Sequence, residues 1–254
     1  MKNLPRNPGE IFCVNVLVME RIKAVILVGG QGTRLRPITD KIPKPLITVH
    51  GKPIINYLID LLSKAGISQT FLMTGNGQRE IFNWWKNYYK EFLPSGIEFV
   101  PEKELLGTFG GLKAIRDQLK DAFILSNGDE LKDFDLKNLI TAHRNNPKKP
   151  IATLGLVKVP NPSDYGVPIM VGNQIKEFLE KPKDSPSDFI SAGIYVLEPE
   201  VFKYADPTKK FLMIEKDIFP KLAAVGKLYG HKMKNARWYD CGTFERWEKA
   251  IKEW

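Results

Sequence analysis

The chain has 254 residues, of which 43% are hydrophobic and 26% charged, and its formal net charge is +9. This composition excludes a disordered or fibrous chain and is typical of one large folded α/β domain or two small ones. The positive charge suits anionic partners such as nucleotides or sugar phosphates, and because the lysines are scattered we expect no nucleic-acid partner.

The cysteines and the amino-terminal segment bear on location. Cys13 and Cys241 lie far apart, which predicts reduced thiols, a cytoplasmic protein and no cysteine-based metal site. The apolar run Ile11–Val18 is too short to span a membrane, and no signal-peptide cleavage site follows it, so we expect no membrane partner. Residues 1–18 are predicted to be an extension of doubtful relevance before a start at Met19, the alternative being an added edge strand.

Strands and helices alternate through the first half of the chain. The apolar run Ala24–Val28 predicts a buried strand, and it leads into three glycines in four positions, Gly29-Gly30-Gln31-Gly32. Further strands are predicted at 70–74, 97–100 and 122–126, and helices at 53–65, 79–92 and from the turn at 106–111 through 119. Such a sheet places its ligands at the carboxyl ends of its strands, where a second glycine-rich turn and Asn127-Gly128-Asp129-Glu130 also fall.

From Ile151 onward the pattern becomes more antiparallel. Strands are predicted at 151–159, 166–171, 174–180 and 189–197, with Gly172-Asn173 as a hairpin turn, and helices near 214–224 and 243–252. The predicted fold is therefore α/β, with a Rossmann-like mixed, mostly parallel sheet sandwiched by helices and a more antiparallel second half.

The loop after the first strand has the features of a phosphate site. Its glycines expose backbone N–H groups, which favour anions in a concave loop. Arg34 and Arg36 follow at once, and Lys44 lies between two prolines that restrict the backbone. A strand, a bare loop and positioned cations together predict phosphate binding.

Two familiar phosphate motifs do not fit this loop. A Walker loop ends in Gly-Lys-Ser/Thr, and the dinucleotide fingerprint needs a third glycine where Leu35 stands. The full string GGxGTRLRPxT…PKPL instead resembles the signature of the sugar-1-phosphate nucleotidyltransferases, also called NDP-sugar pyrophosphorylases. The resemblance extends from Lys23 to Lys252. It implies a single domain of the nucleotide-diphospho-sugar transferase fold over 19–254, with a nucleotide-binding half at about 22–150 and a sugar-phosphate-binding half at about 151–254.

The resemblance also implies a reaction in which a nucleoside triphosphate and a sugar 1-phosphate give a nucleotide sugar and pyrophosphate. The sugar phosphate oxygen is already an anionic nucleophile, so no Ser–His or Cys–His pair is required. The protein must hold two polyanions together and neutralise the charge that develops on the α-phosphate and the leaving pyrophosphate. Mg²⁺ held by carboxylates, together with phosphate-binding cations, is the expected solution.

Asp129, in Asn-Gly-Asp, and Asp240, in Trp-Tyr-Asp-Cys-Gly-Thr, resemble the two metal ligands of that family. The family's catalytic residues correspond to Arg34, Lys44 and Asp129. Glu130 is expected either to act near the metal through water or to be a solvated carboxylate.

The remaining site residues follow from the same resemblance. The nucleotide-binding positions are Gly29, Gly30, Gly32, Thr33, Gly107 and Thr108. The sugar-phosphate-binding positions are Gly166, Glu180, Lys181, Ser191 and Gly193. Among these, Lys181 is expected to hold the 1-phosphate and Glu180 the sugar hydroxyls. Phe109 replaces a small residue of the family's Gly-Thr-Ala-Gly loop and is expected to reshape the base pocket.

The substrates are not fixed by these motifs. The opening string is most similar to mannose-1-phosphate guanylyltransferases, so GTP with mannose 1-phosphate is the expected pair. The open alternatives are a thymidylyl-, uridylyl- or cytidylyltransferase acting on glucose 1-phosphate, and a heptose-phosphate guanylyltransferase. A non-catalytic relative that binds sugar nucleotides is a different class, and the presence of the charged site residues argues against it. A homo-oligomer is also left open.

Overall fold

The structure, a computed structural model, describes residues 22–254. The predictions for residues 1–18 and for a start at Met19 lie outside the described residues. Within the described part of the chain, no helix is both long and apolar enough to cross a membrane.

The alternation of strands and helices follows the predicted order. The strands are β1 (Lys23–Leu27), β2 (Thr48–Val49), β3 (Lys52–Pro53), β4 (Gln69–Thr74), β5 (Gly96–Pro101), β6 (Phe123–Asn127), β7 (Glu130–Asp133), β8 (Ala152–Lys158), β9 (Gly166–Val171), β10 (Gln174–Glu180), β11 (Phe189–Leu197), β12 (Leu228–Lys232) and β13 (Arg237–Asp240). The α-helices are α1 (Ile54–Lys64), α2 (Arg79–Tyr88), α3 (Gly107–Gly110), α4 (Leu136–Arg144), α5 (Phe219–Ala224) and α6 (Phe244–Glu253). The 3-10 helices are Thr33–Leu35, Ile38–Asp40, Lys44–Leu46, Gly111–Gln118, Pro162–Asp164 and Pro199–Tyr204, and a π-helical turn, Ile214–Ile218, precedes α5.

Within residues 22–254, nine strands form one sheet in the order β5-β4-β1-β6-β11-β8-β12-β10-β9. The strands β5, β4, β1 and β6 are parallel to one another. Beyond β6, only β8 and β12 pair in parallel, and the other pairs are antiparallel. The predicted α/β fold, with a Rossmann-like first half and a more antiparallel second half, is confirmed.

The core covers both faces of this sheet. Along β1, Ala24 and Ile26 pack with α1, α2 and α4 on one face, and Val25 packs with α3 and α5 on the other. This alternation follows from the two-residue period of a strand. Because both faces are covered, the central strands are apolar on both sides, as their continuous hydrophobic runs predict.

Two helical predictions differ from the structure. The helix predicted at 79–92 ends as α2 at Tyr88, and a tighter turn follows in which Phe92 N–H donates to Tyr89 O (2.9 Å). Pro94 disfavours helical geometry at Leu93, so the helix could not run past Phe92, but this restriction does not account for its end at Tyr88. The helix predicted to run to Leu119 consists of a short α-helix and a 3-10 helix joined at Gly110 and Gly111, whose low helix propensity weakens a continuous α-helix.

The register of the sheet brings two ligand-binding segments together. Leu27, the last residue of β1, is paired with Asn127, the last residue of β6. The glycine-rich segment after β1 and the segment 127–130 therefore begin side by side at the carboxyl ends of the strands, where a sheet of this kind leaves a crevice.

Candidate active site

A cleft of about 590 Å³ opens at the carboxyl ends of β1 and β6. Every residue that the sequence predicts to bind nucleotide, sugar phosphate or metal, or to act in catalysis, lines it: Gly29, Gly30, Gly32, Thr33, Arg34, Lys44, Gly107, Thr108, Asp129, Gly166, Glu180, Lys181, Ser191, Gly193 and Asp240. The structure thus brings the predicted set into one place, while the role of each residue remains a prediction.

The glycine loop, residues 29–34, lies along this cleft. Gly32 has a left-handed backbone (φ 59°), and a Cβ on it would lie 2.8 Å from Thr39 Cγ2. A Cβ on Gly29 would lie 3.0 Å from a neighbouring backbone nitrogen, whereas a Cβ on Gly30 would meet nothing within 4 Å. Packing therefore requires glycine at 29 and 32, and the surroundings of Gly30 leave space for a ligand.

Arg34 is an exposed cation on the cleft wall. It forms no hydrogen bond or ion pair with any residue in the range 22–254. Its Nη2 lies against Gly242, where a Cβ would be only 2.7 Å away. A guanidinium without a partner, beside a bare loop, is available for phosphate oxygens, which suit its fork of N–H donors.

Lys44 differs from Arg34 in both exposure and pairing. It is only 8% exposed, and it contacts two carboxylates. Its Nζ donates to Asp129 Oδ2 (2.8 Å) and lies 3.6 Å from Asp240 Oδ1. Burial alone would lower the pKa of Lys44, but the two aspartates raise it above its usual value. Burial alone would likewise raise the pKa of Asp129, but the Lys44 ammonium holds it below its usual value. Lys44 and Asp129 are therefore both charged at neutral pH.

The two aspartates meet because β7 and β13 form a separate antiparallel pair. In its register Asp240 is paired with Glu130, so Asp129 lies next to Asp240 although the two are far apart in the sequence. The residues Asp129, Glu130 and Asp240 are called the carboxylate corner below.

The carboxylate corner fits Mg²⁺ that is bound together with phosphate. Among the described residues, no group of three or more His, Cys, Asp or Glu side chains could hold a metal ion without further ligands. However, Asp129 and Asp240 share one cation, the Lys44 ammonium. Mg²⁺ often takes only one or two protein carboxylates and completes its coordination with water and substrate phosphates. The donor set suits that arrangement.

Glu130 is not the solvated carboxylate considered above. It accepts hydrogen bonds from Asn127 Nδ2 (3.0 Å) and Trp238 Nε1 (3.1 Å), and it pairs with Lys132 Nζ (3.0 Å). Lys132 is 2% exposed and also donates to the Asn127 carbonyl. Because a fully buried cation compensates it, Glu130 fixes the loop that carries Asp129. Sequence reasoning missed Lys132, since a lysine on a short strand gives no signal of burial.

Arg246 is a second cleft residue that the sequence did not reveal. Its Nη1 donates to Asp240 Oδ2 (2.5 Å) and its Nη2 to Asp164 Oδ2 (2.5 Å). The guanidinium also lies 5.3 Å from the centre of the Tyr165 ring. Thr243 caps α6 and sets the position of Arg246 in its first turn. The only sequence signal was its proximity to Asp240.

The predicted sugar-phosphate residues surround the other end of the cleft. Glu180, at the end of β10, is paired with Gly166 on β9. Lys181 has a left-handed backbone (φ 53°), and its N–H donates to the Tyr165 carbonyl (3.1 Å). A lysine rarely adopts this conformation, and such strain concentrates at functional positions.

Gly193 sits where β11 is irregular against β8, between Ser191 and Tyr195. Its backbone is left-handed (φ 59°), and a Cβ would lie 2.6 Å from Glu130 Oε2. Glycine at this position therefore lets β11 pass directly over the carboxylate corner. Ser191 is nearby, with its hydroxyl donating to Tyr195 Oη (3.4 Å).

The base-side loop, residues 105–111, also lines the cleft through Gly107 and Thr108. The expectation that Phe109 reshapes the base pocket is wrong. Its side chain is completely buried and packs on Phe202, with ring centres 5.5 Å apart, in the core below the loop. The aromatic replacement thus fills the core and leaves the cleft-facing atoms of the loop to its neighbours.

The family model described as nucleotidyl transferase matches residues 23–254 of this chain. The curated mannose-1-phosphate guanylyltransferase of Mycobacterium tuberculosis is 37% identical over 238 residues, covering 90% of this chain and 63% of that protein. The chain therefore spans less than two thirds of the length of that relative.

Solved structures share the fold at lower identity. A Bacillus anthracis protein assigned as a glucose-1-phosphate thymidylyltransferase, solved with sucrose, has a TM-score of 0.82 at 27% identity and covers 91% of this chain and 94% of its own. HddC from Yersinia pseudotuberculosis, complexed with GMP-PN, has a TM-score of 0.76 at 26% identity and covers 91% and 99% respectively.

Proposed function

The chain belongs to the nucleotidyl transferase family, and we propose that it transfers a nucleotidyl group from a nucleoside triphosphate to a sugar 1-phosphate. The observation that carries this proposal is one cleft in which two cations, Arg34 and Lys181, have no partner within residues 22–254 and flank two carboxylates that share a buried lysine. Such a cleft can hold two phosphate-bearing substrates against their mutual repulsion.

The chemistry needs little from the protein beyond position and charge. An oxygen of the sugar 1-phosphate attacks the α-phosphorus, a new P–O bond forms, and the bond to the β-phosphate breaks to release pyrophosphate. Lys181 holds the attacking phosphate, while Arg34 and Lys44 neutralise charge on the α-phosphate and the leaving group. No general base is needed, because the nucleophile is already ionised.

Members of this family generally use divalent metal ions. In this chain Asp129 and Asp240 would hold Mg²⁺, which supplies further neutralisation of the triphosphate. Lys44 keeps both carboxylates oriented towards the cleft and Arg246 holds the second oxygen of Asp240, so the protein's own cations prepare the ligands.

We further propose GTP and mannose 1-phosphate as the substrates, which is the reaction that the name of the Mycobacterium tuberculosis relative describes. The position of Glu102 is an argument for guanine as the base of the nucleotide. Its carboxylate reaches Gly29 and Gly111, where Cβ atoms would lie 3.2 Å and 1.9 Å from its oxygens. Within residues 22–254 no side chain donates to it, and burial raises its pKa. Glu102 is not among the residues that line the cleft, but its oxygens lie close behind Gly29, which is. Two free acceptors at this place match the adjacent N1–H and N2–H₂ donors of guanine, a pair that the other common bases lack.

Pyrophosphate release tests this proposal directly. The common nucleoside triphosphates are crossed with glucose, mannose, galactose and heptose 1-phosphates, with and without Mg²⁺, and strong release is expected from GTP with mannose 1-phosphate. Release from a different pair would keep the activity and correct the substrates. No release from any pair, with folded protein, would overturn the activity.

A variant sharpens the assignment of the base. Glu102→Gln replaces one acceptor by a donor, so the preference for GTP over other triphosphates should fall about tenfold or more. An unchanged preference would remove Glu102 from base recognition.

A further inference from the structure

The base-side loop is held mainly by a distant segment, residues 210–215, which lies in the second half of the chain. Leu212 O accepts from Phe109 N–H (2.9 Å) and from Gly110 N–H (3.3 Å), and Leu212 N–H donates to Leu106 O (2.9 Å). A Cβ on Gly107 would lie 2.4 Å from Leu212 O, so the two backbones touch. The position of the base-side loop therefore depends on where the 210–215 segment lies.

Three side chains of this segment line the cleft, Phe211, Met213 and Glu215, and Glu215 is the charged one among them. Its Oε2 accepts from Thr108 Oγ1 (2.7 Å), and Thr108 Oγ1 in turn accepts from the backbone N–H of Ile214 (2.8 Å). Its other oxygen accepts a longer hydrogen bond from Tyr195 Oη (3.5 Å), whose hydroxyl also meets Ser191. One carboxylate thus connects the predicted nucleotide side, at Thr108, with the predicted sugar side, at Ser191.

This carboxylate is costly for folding. Within the described residues it forms no ion pair, and burial, together with the nearby Glu180, raises its pKa. A neutral side chain of similar shape would pack there at lower cost, because a half-buried charge without a cation loses part of its hydration. Stability therefore does not explain a glutamate at this position, whereas a role between the two predicted substrate sites does.

We propose that Glu215 is a positioning residue for both substrates, which fixes Thr108 at the nucleotide and, through Tyr195, Ser191 at the sugar phosphate. This inference rests on the proposed function, since it assigns both substrates to this cleft. It predicts that loss of Glu215 weakens the binding of both substrates, whereas loss of a group that contacts one substrate weakens the binding of that one.

The test is steady-state kinetics on the full chain, with KM measured for each substrate at saturating levels of the other. Glu215→Ala should raise both KM values about tenfold, because both hydrogen bonds are lost. Glu215→Gln, whose amide oxygen can still accept from Thr108, should stay within about threefold of wild type. Lys181→Ala should raise the KM for the sugar phosphate alone.

Asp217→Asn is the matched control. Asp217 is two residues away in the same π-helical turn, accepts from Met213 N–H (2.8 Å) and does not line the cleft. This variant should lower the melting temperature and leave both KM values unchanged, as a purely structural carboxylate would.

The outcomes separate this inference from the proposed function. If Glu215→Ala lowers the melting temperature without changing either KM, or changes only one, the inference is overturned and the activity stands. If Gln is as damaging as Ala, positioning through hydrogen bonds is overturned as well. If wild type releases no pyrophosphate from any substrate pair, the proposed function fails, and this inference fails with it.

Discussion

The glycine loop and the carboxylate corner border the same cleft, but their charged side chains differ in whether they form ion pairs within the protein. In the glycine loop, Arg34 is exposed and forms no ion pair within residues 22–254. In the carboxylate corner every acidic group has a cation, since Lys44 contacts Asp129 and Asp240, and Lys132 contacts Glu130. Under the proposed function the substrate's phosphates would complete the free cation at Arg34, and the cations that pair with the corner carboxylates reduce their repulsion of those phosphates. The difference indicates a site built to receive negative charge.

The largest expected effect comes from removing a charge in the carboxylate corner. Asp240→Asn should lower kcat/KM in the presence of Mg²⁺ by about 10²- to 10³-fold, because a proposed metal ligand is lost and Lys44 is left with one carboxylate. Pyrophosphate release measures the effect, and near-UV circular dichroism checks the fold. Asp133→Asn, on the same strand pair but exposed, is the control and should behave as wild type. An Asp240→Asn enzyme with near wild-type activity would contradict the metal assignment.

One arginine variant and one lysine variant test the difference in ion pairing between the glycine loop and the carboxylate corner. Arg34→Ala should lower kcat/KM about 10²-fold and leave the free energy of unfolding unchanged, because Arg34 has no hydrogen-bond or ion-pair partner among the described residues 22–254. Lys44→Ala should lower activity to a similar degree and also destabilise the fold by about 2–3 kcal/mol, because two aspartates lose their shared cation. Denaturant titration beside the activity assay distinguishes them. Equal stabilities for the two variants would show that the corner is not neutralised internally.

Variants of Lys181, in the predicted sugar-phosphate site, should have smaller effects, and they distinguish the contribution of backbone strain to stability from that of the side chain to binding. Lys181→Ala and Lys181→Gly should both raise the KM for sugar phosphate about tenfold. Glycine tolerates the left-handed backbone, so Lys181→Gly should be more stable than Lys181→Ala by about 1 kcal/mol. Thermal denaturation of the pair gives this difference. A glycine variant no more stable than the alanine variant would argue that the position carries no strain.

The smallest effect concerns pH. Burial raises the pKa of Glu215, so the native state binds its proton more tightly than the unfolded chain does. The resulting destabilisation is absent below the ordinary glutamate pKa and develops as pH rises through the higher folded value. Glu215→Gln should therefore gain stability over wild type as pH increases from acid towards neutral. A melting-temperature difference that stays constant with pH would contradict the shift.

The site residues that the sequence predicted lie in short motifs, in which the neighbouring residues of the chain already indicate a role in phosphate or metal binding. The glycine loop follows its strand directly, and Lys44 is fixed by its own flanking prolines, so neighbours in the chain are enough to indicate both. Lys132, Arg246 and Glu215 carry no such local signal. Arg246 and Glu215 matter only because a distant element packs beside each, the loop at Asp164 for Arg246 and the base-side loop for Glu215. Lys132 has local partners, but its strand pairs with β13 from far along the chain, so the local sequence does not indicate its burial. The local sequence also does not indicate the surroundings of Phe109, because only packing in the folded protein places its side chain in the core.

The pairing of β7 with β13 has a consequence during synthesis of the protein. Asp129 leaves the ribosome more than a hundred residues before Asp240, and the parallel strands that carry the glycine loop can already be complete by then. Until β13 and the start of α6 emerge, the nascent chain has the glycine loop and Lys44 but only one of the two aspartates. The carboxylate corner can therefore be completed only near the end of the synthesis of these 254 residues, after most of the cleft's other residues have emerged.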